Sequence, residues 1–325
     1  MPDAKPEVSI VVPVYRSEHI LPELVQQVAA AMHQAGMNGR FELILVNDAS
    51  PDNSWGAIRD VADKLVFVKG ICLARNVGQH NATMAGLNEA AGQIVVIMDD
   101  DMQHPSQTIM SLVAAVQSGY DVCYTKYVGR RHPLWKRLGS WFNDRVATFL
   151  LGKPRGLYLS SYKALCRRVV QEMIRYDGPY PYLDGLILDA TQSITSVPIN
   201  HRPRYGGKGN YGLRRSISLW LKMATSFSIV PLRIASLAGL TLAAVSAAMM
   251  VAVVVKKLLH PETPAGWASM VTIVLFMGGM QLLCLGIIGE YLGRAYLKLN
   301  RKPQFAVRER TGHASAVKPT DPPGQ

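Results

Sequence analysis

Apolar residues follow two alternating patterns over the first 125 residues of the chain. Short runs rich in Val, Ile and Leu predict five strands: Val8–Val14, Phe41–Asn47, Val66–Leu73, Ile94–Met98 and Tyr120–Thr125. Between the first two runs, apolar residues recur with helical spacing and stop before Gly36: Leu21, Leu24, Val25, Val28 and Met32. Three more helices are predicted at about Asn53–Leu65, Gln79–Ala91 and Pro105–Ser118. Continuously apolar strands that alternate with helices predict an α/β fold with a mainly parallel sheet covered on both faces.

Two later runs are apolar without interruption. Ile234–Val255 and Ala268–Gly289 each contain 22 residues and no Asp, Glu, Lys or Arg. As a helix, each run would span about 33 Å, which is enough to cross a bilayer core of about 30 Å. Two helices buried in a soluble core are the other interpretation, but soluble cores rarely need two such runs side by side. The pattern therefore predicts two transmembrane helices.

Charge separates the two parts of the chain. The 325 residues include 35 Lys and Arg against 23 Asp and Glu, a net charge of +12, and only 18% of them are charged. Residues 1–120 carry a balance of −6 and residues 121–325 a balance of +18. This composition excludes a disordered chain, a collagen-like repeat and a disulfide-stapled small protein. The basic part would suit nucleic acid or anionic lipid, and the adjacent apolar runs favour lipid, so no nucleic acid partner is expected.

The flanking charges predict the orientation of the hairpin. Seven basic residues lie shortly before the first run: Arg202, Arg204, Lys208, Arg214, Arg215, Lys222 and Arg233. Six follow the second: Arg294, Lys298, Arg301, Lys302, Arg308 and Arg310. The loop between the runs offers only Lys256 and Lys257. The positive-inside rule then predicts a multi-pass membrane protein with both termini in the cytoplasm and the short loop outside.

Polar residues gather where the predicted strands end, which is where open parallel sheets bind ligands. The fourth strand ends in three consecutive carboxylates, Asp99 to Asp101, which repel one another unless a cation offsets them. Asp99 and Asp101 point the same way in an extended segment, and with Gln103 they could give a hard cation its oxygen ligands. The alternative is a cluster that caps the following helix, for which a single Asp would suffice.

The ordered motifs PVYxSE, NDASxD, ARNxGQ and DDDxQHP resemble those of inverting family 2 glycosyltransferases. The DDDMQ form is similar to that of the polyprenyl-phosphate subgroup, which includes dolichyl-phosphate mannose synthase and the GtrB and ArnC types. RYGGKGNYGLRR, IVPLR, GEYLGRAY and RKPQF around the apolar runs agree with the GtrB and ArnC types. The resemblance covers roughly Glu7 to Arg308 and implies a GT-A fold, a nucleotide-sugar donor and a two-helix hairpin. It also implies that the hairpin lies in the bacterial inner membrane with the active site in the cytoplasm.

The resemblance also implies roles for individual residues near the donor. The predicted nucleotide-binding residues are Pro13, Tyr15, Glu18, Asp48, Gln79 and Asp99. A base-binding carboxylate at Asp48 favours uracil or thymine, although guanine would also satisfy it. Asp99, Asp101 and Gln103 would bind Mg²⁺ or Mn²⁺, which makes Asp101 a catalytic residue. Asp184 occupies roughly the place of the base in other GT-A enzymes; capping the helix after Leu183 is the other interpretation.

The acceptor side is predicted from basic residues and aromatic residues near the membrane. Lys126 to Gly152 and Leu213 to Pro231 are basic and carry Trp or Phe, which favours helices in the lipid headgroup layer; packing on the sheet is the alternative. A phosphate acceptor is already nucleophilic at pH 7, so it needs charge compensation more than a base. The candidate phosphate-binding residues are Arg130, Arg131, Ser161, Lys163, Arg204 and Lys208. Any one of these cations could instead face lipid as a surface charge.

These observations predict a membrane-anchored enzyme that moves one sugar, with inversion, from a UDP-sugar to undecaprenyl phosphate. A processive polysaccharide synthase is less favoured because the Q-x-x-R-W motif is absent and two spans are too few for a channel. A non-catalytic scaffold or sensor is a third interpretation. Five parts are expected: a catalytic domain at 1–200 with an interface region at 126–152, a juxtamembrane segment at 201–233, the hairpin at 234–292, a cytoplasmic segment at 293–312 and a disordered tail at 313–325. The resemblance also makes a homotetramer plausible.

Overall fold

A computed structural model describes residues 5–128, 154, 156–200, 230–259, 266–300 and 302–312. The chain divides into two compact units, Met1–Asn210 with Arg301–Gln325, and Tyr211–Asn300. Most of the two expected interface segments and the whole tail at 313–325 lie outside the described residues. The first three residues of the expected interface region, Lys126 to Val128, are the end of a strand and not of a helix.

An eight-stranded sheet forms the centre of the first unit, in the order β7-β5-β6-β4-β1-β2-β3-β8. Pairing is parallel between β1 and β2, β1 and β4, β2 and β3, and β5 and β7, which confirms the mainly parallel sheet. β6 runs antiparallel to β4 and β5, and β8 runs antiparallel to β3. The strands are Val8–Val14 (β1), Phe41–Asn47 (β2), Val68–Leu73 (β3), Ile94–Ile97 (β4), Val122–Val128 (β5), Lys163–Cys166 (β6), Ile194–Asn200 (β7) and Val307–Thr311 (β8).

Among the described residues of this unit, six helices accompany the sheet: Leu21–Gln34 (α1), Ser54–Lys64 (α2), Gln79–Glu89 (α3), Thr108–Gln117 (α4), Arg167–Ile174 (α5) and Leu183–Ala190 (α6). All five apolar positions predicted for α1 are buried, and its end is followed by Gly36 with φ +71°. Every residue of β1 and β2 is buried, because helices pack against both faces of the central strands. The sheet is therefore a rigid support for the loops at its carboxyl edge.

The last strand, β8, comes from the segment expected to be a separate cytoplasmic piece. Its pairing with β3 is reinforced by side chains, since Trp55 Nε1 donates to Glu309 Oε2 at 2.9 Å. Arg310 donates twice to Glu89 Oε1, at 3.0 and 2.8 Å. The residues that follow the apolar runs thus complete the sheet of the first unit.

Within the described part of the second unit, two long helices pack against each other, Val230–Leu259 (α7) and Trp267–Leu299 (α8). They include both predicted spans. Among the residues that the structure describes, the stretch Phe276–Leu297 is long and apolar enough to cross a membrane. It begins and ends eight residues later than the predicted second span. Large apolar side chains are exposed on both helices, for example Leu240 at 69% and Leu282 at 71%, as expected of a surface that faces lipid.

Candidate active site

The carboxyl ends of β1, β2, β3 and β4 bring most of the predicted donor residues to one edge of the sheet. Pro13 is the penultimate residue of β1, and Tyr15 follows that strand with 44% of its surface exposed. Glu18 lies three residues further on and accepts a hydrogen bond from the Asn53 backbone N–H at 3.0 Å. Asp48 directly follows β2. The sequence motifs are therefore neighbours in space as well as an ordered series.

Asp99 lies at the centre of this edge and accepts hydrogen bonds from two other elements. Its Oδ1 accepts from Gln79 Nε2 at 2.6 Å, and its Oδ2 accepts from Ser161 Oγ at 2.5 Å. His104 Nε2 lies 3.3 Å from the same Oδ2. Burial raises the pKa of Asp99, but His104, Ser161 and the nearby Lys163 together hold it below its ordinary value. Asp99 is therefore kept as a carboxylate.

Asp100 turns the other way and ties β4 to β1. Its Oδ2 accepts from the Tyr15 backbone N–H at 3.0 Å and from Ser17 Oγ at 2.5 Å. Burial raises the pKa of Asp100 to about 6 against these two hydrogen bonds, and the neighbouring Asp99 and Asp101 add to the increase. The three consecutive carboxylates thus separate into one that braces the loop after β1 and two that remain at the site.

A divalent cation would find a matching set of donors here. Asp99, Asp101 and His104 each offer one ligand atom, and these atoms lie within 4.8 Å of one another. Carboxylate oxygens suit Mg²⁺ and Mn²⁺, and an imidazole nitrogen is acceptable to Mn²⁺. Gln103, the predicted third ligand, belongs to the same turn, and its backbone N–H donates to Asp101 Oδ1 at 3.1 Å. The donor set fits the expected metal.

The turns around this edge carry unusual backbone conformations. Among the described residues, three that are not glycine have positive φ: Arg16 at 60°, Ala49 at 47° and Met102 at 56°. They follow β1, β2 and β4 respectively. Residues other than glycine rarely adopt this region, and such conformations cluster at ligand-binding sites. The strained turns therefore mark the same edge as the motifs.

Asp48 is buried, and its carboxylate holds the turn between β3 and α3. Its Oδ1 accepts from the Val77 backbone N–H at 2.7 Å, and its Oδ2 accepts from the Gly78 backbone N–H at 2.9 Å. Burial raises the pKa of Asp48, although both hydrogen bonds oppose the increase. Gly78 has φ +86°, which the turn into α3 requires and which favours glycine. Both carboxylate oxygens that were expected to face a base are thus engaged with the β3–α3 turn.

Two residues predicted for different roles form one buried pair. Lys163 Nζ donates to Asp184 Oδ1, and Tyr124 Oη donates to the same oxygen at 2.9 Å. The Lys163 ammonium also lies 4.9 Å from the centre of the Tyr124 ring. His80 is close by, with its ring edge-on to Tyr182 at 5.5 Å, and burial lowers the pKa of His80 despite the nearby Asp184 carboxylate. Asp184 therefore orients a cationic side chain here, and Lys163 is not a free cation.

The remaining predicted acceptor residues are divided. Arg130, Arg131, Arg204 and Lys208 lie outside the described residues, so the structure does not place them. Ser161 is described, but it donates to Asp99 and so belongs to the centre of the site. Sequence reasoning gave no role to Asp100, Ser17 or Tyr124, and it did not select His104 as a site residue. For His104 the DDDxQHP motif was an available signal; for Tyr124, within an apolar strand, the sequence offered none.

Two family domains match the chain. Residues 9–173 match Glycosyl transferase family 2, and residues 230–295 match the GtrB C-terminal hairpin. The first covers β1 to β6 and nearly all of α5, and the second covers α7 and most of α8. The sequence-based resemblance to this family and to its polyprenyl-phosphate subgroup is confirmed.

Similar proteins support the same grouping. The undecaprenyl-phosphate 4-deoxy-4-formamido-L-arabinose transferase of Enterobacter sp. (strain 638) is 31% identical over 305 residues, 93% of each chain. The transferase of the same name from Yersinia pestis (strain Pestoides F) is 32% identical over 309 residues, 94% of each chain. Glucosyl-3-phosphoglycerate synthase of Mycobacterium tuberculosis, solved with Mn²⁺, UDP and phosphoglyceric acid, has a TM-score of 0.50 and 17% identity. That match covers 68% of this chain and 77% of the other, and it supports the fold alone.

Proposed function

Because the chain belongs to glycosyl transferase family 2 and to its polyprenyl-phosphate subgroup, we propose that it transfers one sugar from a UDP-sugar to undecaprenyl phosphate. The reaction would take place at the cytoplasmic face of the membrane and invert the anomeric configuration. Its relatives over almost the whole chain are named as undecaprenyl-phosphate sugar transferases, which supports the acceptor.

The observation that carries the proposal is the cluster of Asp99, Asp101 and His104 at the carboxyl edge of the sheet. Asp99 and Asp101 would hold Mg²⁺ or Mn²⁺, with Gln103 or His104 as the third protein ligand. The metal would offset negative charge on the leaving diphosphate. Gln79 and Ser161, which already bond to Asp99, would keep that carboxylate in place when the donor binds.

The transfer is a single displacement. An oxygen of the acceptor phosphate forms a bond to the anomeric carbon while the bond from that carbon to the diphosphate oxygen breaks, and the electron pair leaves with UDP. A phosphate monoester has its second pKa near 6, so the acceptor brings no proton that must be removed at pH 7. Asp184, bonded to Lys163 and Tyr124, would therefore position groups around the acceptor and not act as a base.

The membrane hairpin would hold the catalytic unit next to the acceptor headgroup. We infer two spans within α7 and α8, both termini in the cytoplasm, and Arg130, Arg131, Arg204 and Lys208 as further ligands of the acceptor phosphate. The hairpin domain match and the exposed apolar side chains of both helices support the membrane anchor. A homotetramer remains part of the proposal by family resemblance.

The test is a transfer assay with the purified full-length protein. Undecaprenyl phosphate, Mn²⁺ and one labelled donor at a time would be supplied, from UDP-4-deoxy-4-formamido-L-arabinose, UDP-glucose, UDP-N-acetylglucosamine and GDP-mannose. Label from a UDP-sugar should enter an organic-extractable, mild-acid-labile lipid. Asp101→Asn should lower this transfer at least about 100-fold, whereas Asp60→Asn on the exposed face of α2 should not change it.

The outcomes separate the parts of the proposal. Label from GDP-mannose alone would overturn the UDP assignment. Release of free nucleotide without labelled lipid would overturn the acceptor. Full activity of Asp101→Asn would remove the metal site from the mechanism.

A further inference from the structure

The loop after β1 is fixed at every residue from Tyr15 to Glu18. Each of these four backbone N–H groups donates to a side chain of another segment, either the loop after β4 or the segment Ser50–Ser54. In chain order the acceptors are Asp100 Oδ2 at 3.0 Å, Ser50 Oγ at 2.8 Å, Ser54 Oγ at 3.1 Å and Asp52 Oδ2 at 3.3 Å. A loop held in this way presents its side chains in place before a ligand arrives, which lowers the entropic cost of binding.

Arg16, within this loop, has a backbone conformation that arginine does not favour. Its φ is +60°, in the left-handed region that glycine adopts readily and that asparagine tolerates better than most other residues. An arginine in this region costs free energy that a glycine or an asparagine would avoid. The backbone of the turn therefore gives no reason for an arginine, and the reason lies in what its side chain does.

The Arg16 guanidinium is available to a ligand. The residue is exposed, and its Cζ lies 5.4 Å from the centre of the Tyr15 ring, which is itself part of an exposed side chain. Among the residues that the structure describes, no carboxylate forms an ion pair with Arg16. Lys163, a cation near Asp99, is by contrast already paired with Asp184. Arg16 can therefore offer its charge to an anion at the carboxyl edge of the sheet.

A diphosphate is the anion that this edge would hold. The residue before Arg16, Tyr15, bonds through its backbone to Asp100, and the two neighbours of Asp100 are the candidate metal ligands Asp99 and Asp101. The charges of these two carboxylates offset one divalent cation, so the charge of a bound diphosphate is left without compensation. A guanidinium can donate two parallel hydrogen bonds to phosphate oxygens and supplies the missing positive charge.

We propose that Arg16 binds the diphosphate of the nucleotide-sugar donor. The inference rests on the proposed function, because it presupposes a nucleotide donor at this edge. Negative charge grows on the diphosphate as its bond to the anomeric carbon breaks, so Arg16 stabilises the leaving group and also binds the nucleoside diphosphate product. UDP alone is therefore a sufficient probe of this role.

The test is equilibrium dialysis of labelled UDP against the full-length protein in neutral detergent with Mn²⁺. Arg16→Asn should bind UDP at least about tenfold more weakly, because charge-assisted hydrogen bonds to phosphate are lost. Unlabelled uridine, which has no phosphate, should compete with the same affinity in the variant as in the wild type. The melting temperature of Arg16→Asn should not fall, since asparagine suits a positive φ better than arginine does.

Two further variants separate charge from structure. Arg16→Lys keeps the positive charge and should lose less UDP affinity than Arg16→Asn does, although it lacks the two parallel donors. Arg59→Gln removes an arginine from the exposed face of α2 and should bind UDP as the wild type does.

The outcomes distinguish this inference from the proposed function. If Arg16→Asn binds UDP as tightly as the wild type, the role of Arg16 is overturned and the proposed function stands. The role is also overturned if uridine loses affinity to the same extent as UDP, or if Arg59→Gln weakens UDP binding equally. A wild type that binds GDP and not UDP overturns the UDP assignment alone, and the comparison of Arg16→Asn with the wild type is then made with GDP. A wild type that binds neither nucleotide overturns the nucleotide donor and this inference together.

Discussion

Removing the carboxylate of Asp184 should destabilise the catalytic unit far more than an ordinary polar substitution. In Asp184→Asn the Lys163 ammonium, whose side chain is only 3% exposed, would lose its charged partner. Asparagine can still accept the Tyr124 hydroxyl hydrogen bond, so the loss is mainly electrostatic. Breaking a buried ion pair by removing one partner costs about 3–5 kcal/mol, which is about 10²- to 10⁴-fold in a local unfolding equilibrium.

The comparison that isolates the pair is a double-mutant cycle. Lys163→Met leaves the Asp184 carboxylate, 12% exposed, without its cation and should also be costly. The double variant Lys163→Met/Asp184→Asn removes both charges and should be closer to the wild type than either single variant. Lys163 lies in β6, between β4 and β5 in the sheet. The effect should therefore appear first in the amide hydrogen exchange rates of these three strands.

Amide hydrogen exchange followed by mass spectrometry measures this locally in the intact membrane protein. It does not require the two units to unfold together, which a global denaturation curve would. Exchange of β6 should accelerate at least about 100-fold in Asp184→Asn. If the single effects simply add in the double variant, or if β6 of Asp184→Asn exchanges within threefold of the wild-type rate, the pair is not a buried stabilising contact and this reasoning is wrong.

Three further predictions concern other parts of the catalytic unit. Asp101→Asn should weaken Mn²⁺ binding, measured by electron paramagnetic resonance, at least about tenfold, and Asp60→Asn should leave it unchanged. Burial raises the pKa of Asp52. Hydrogen bonds donated by Ser50, by Ser54 and by the Glu18 backbone N–H outweigh this effect and lower the pKa from 3.8 to about 2. Because the folded state favours the Asp52 carboxylate, the contribution of this carboxylate to the free energy of unfolding is complete above about pH 4 and is lost as the pH falls towards 2. The melting temperatures of wild type and Asp52→Asn should therefore differ at pH 6 and converge near pH 2. Trp55→Phe removes the hydrogen bond to Glu309, so exchange of β8 should rise by an amount equivalent to about 1–2 kcal/mol, while β2 stays protected.

Much of the fold was predictable because its elements are marked locally. β1 and β2 have the predicted bounds, since an uninterrupted apolar run records burial on both faces. β6, β7 and β8 were not predicted. β6 is four residues long and begins with a lysine, and β8 reads Val-Arg-Glu-Arg-Thr with three charges at the edge of the sheet. Such short or charged strands form because a partner strand is available elsewhere in the chain, and local pattern carries no record of that partner.

The site divides in the same way. The motifs predicted that Asp99 and Asp101 lie at the carboxyl edge of the sheet, because the direction of the strands determines which edge follows β4. The Lys163–Asp184 contact did not follow, since it joins β6 to α6 across a separation of 21 residues. Asp48 shows a second limit: its motif indicates a ligand, whereas its carboxylate bonds to the backbone of a turn about 30 residues away. Sequence motifs indicate which residues lie at a site, and only the structure indicates which of them form hydrogen bonds or ion pairs with one another.

The position of β8 has a consequence for the order of events during synthesis. The catalytic sheet takes its last strand from Val307–Thr311, whereas its neighbour β3 ends at Leu73. At about 5–20 residues per second, a ribosome needs roughly 10–50 s to cover the intervening chain. Throughout that time β3 is an open edge that invites pairing with other nascent chains. The sheet is therefore completed only after the apolar hairpin has been synthesised. A chain in which synthesis of the hairpin fails also lacks the last strand of its sheet. The open edge of β3 would then make that chain recognisable to cellular quality control.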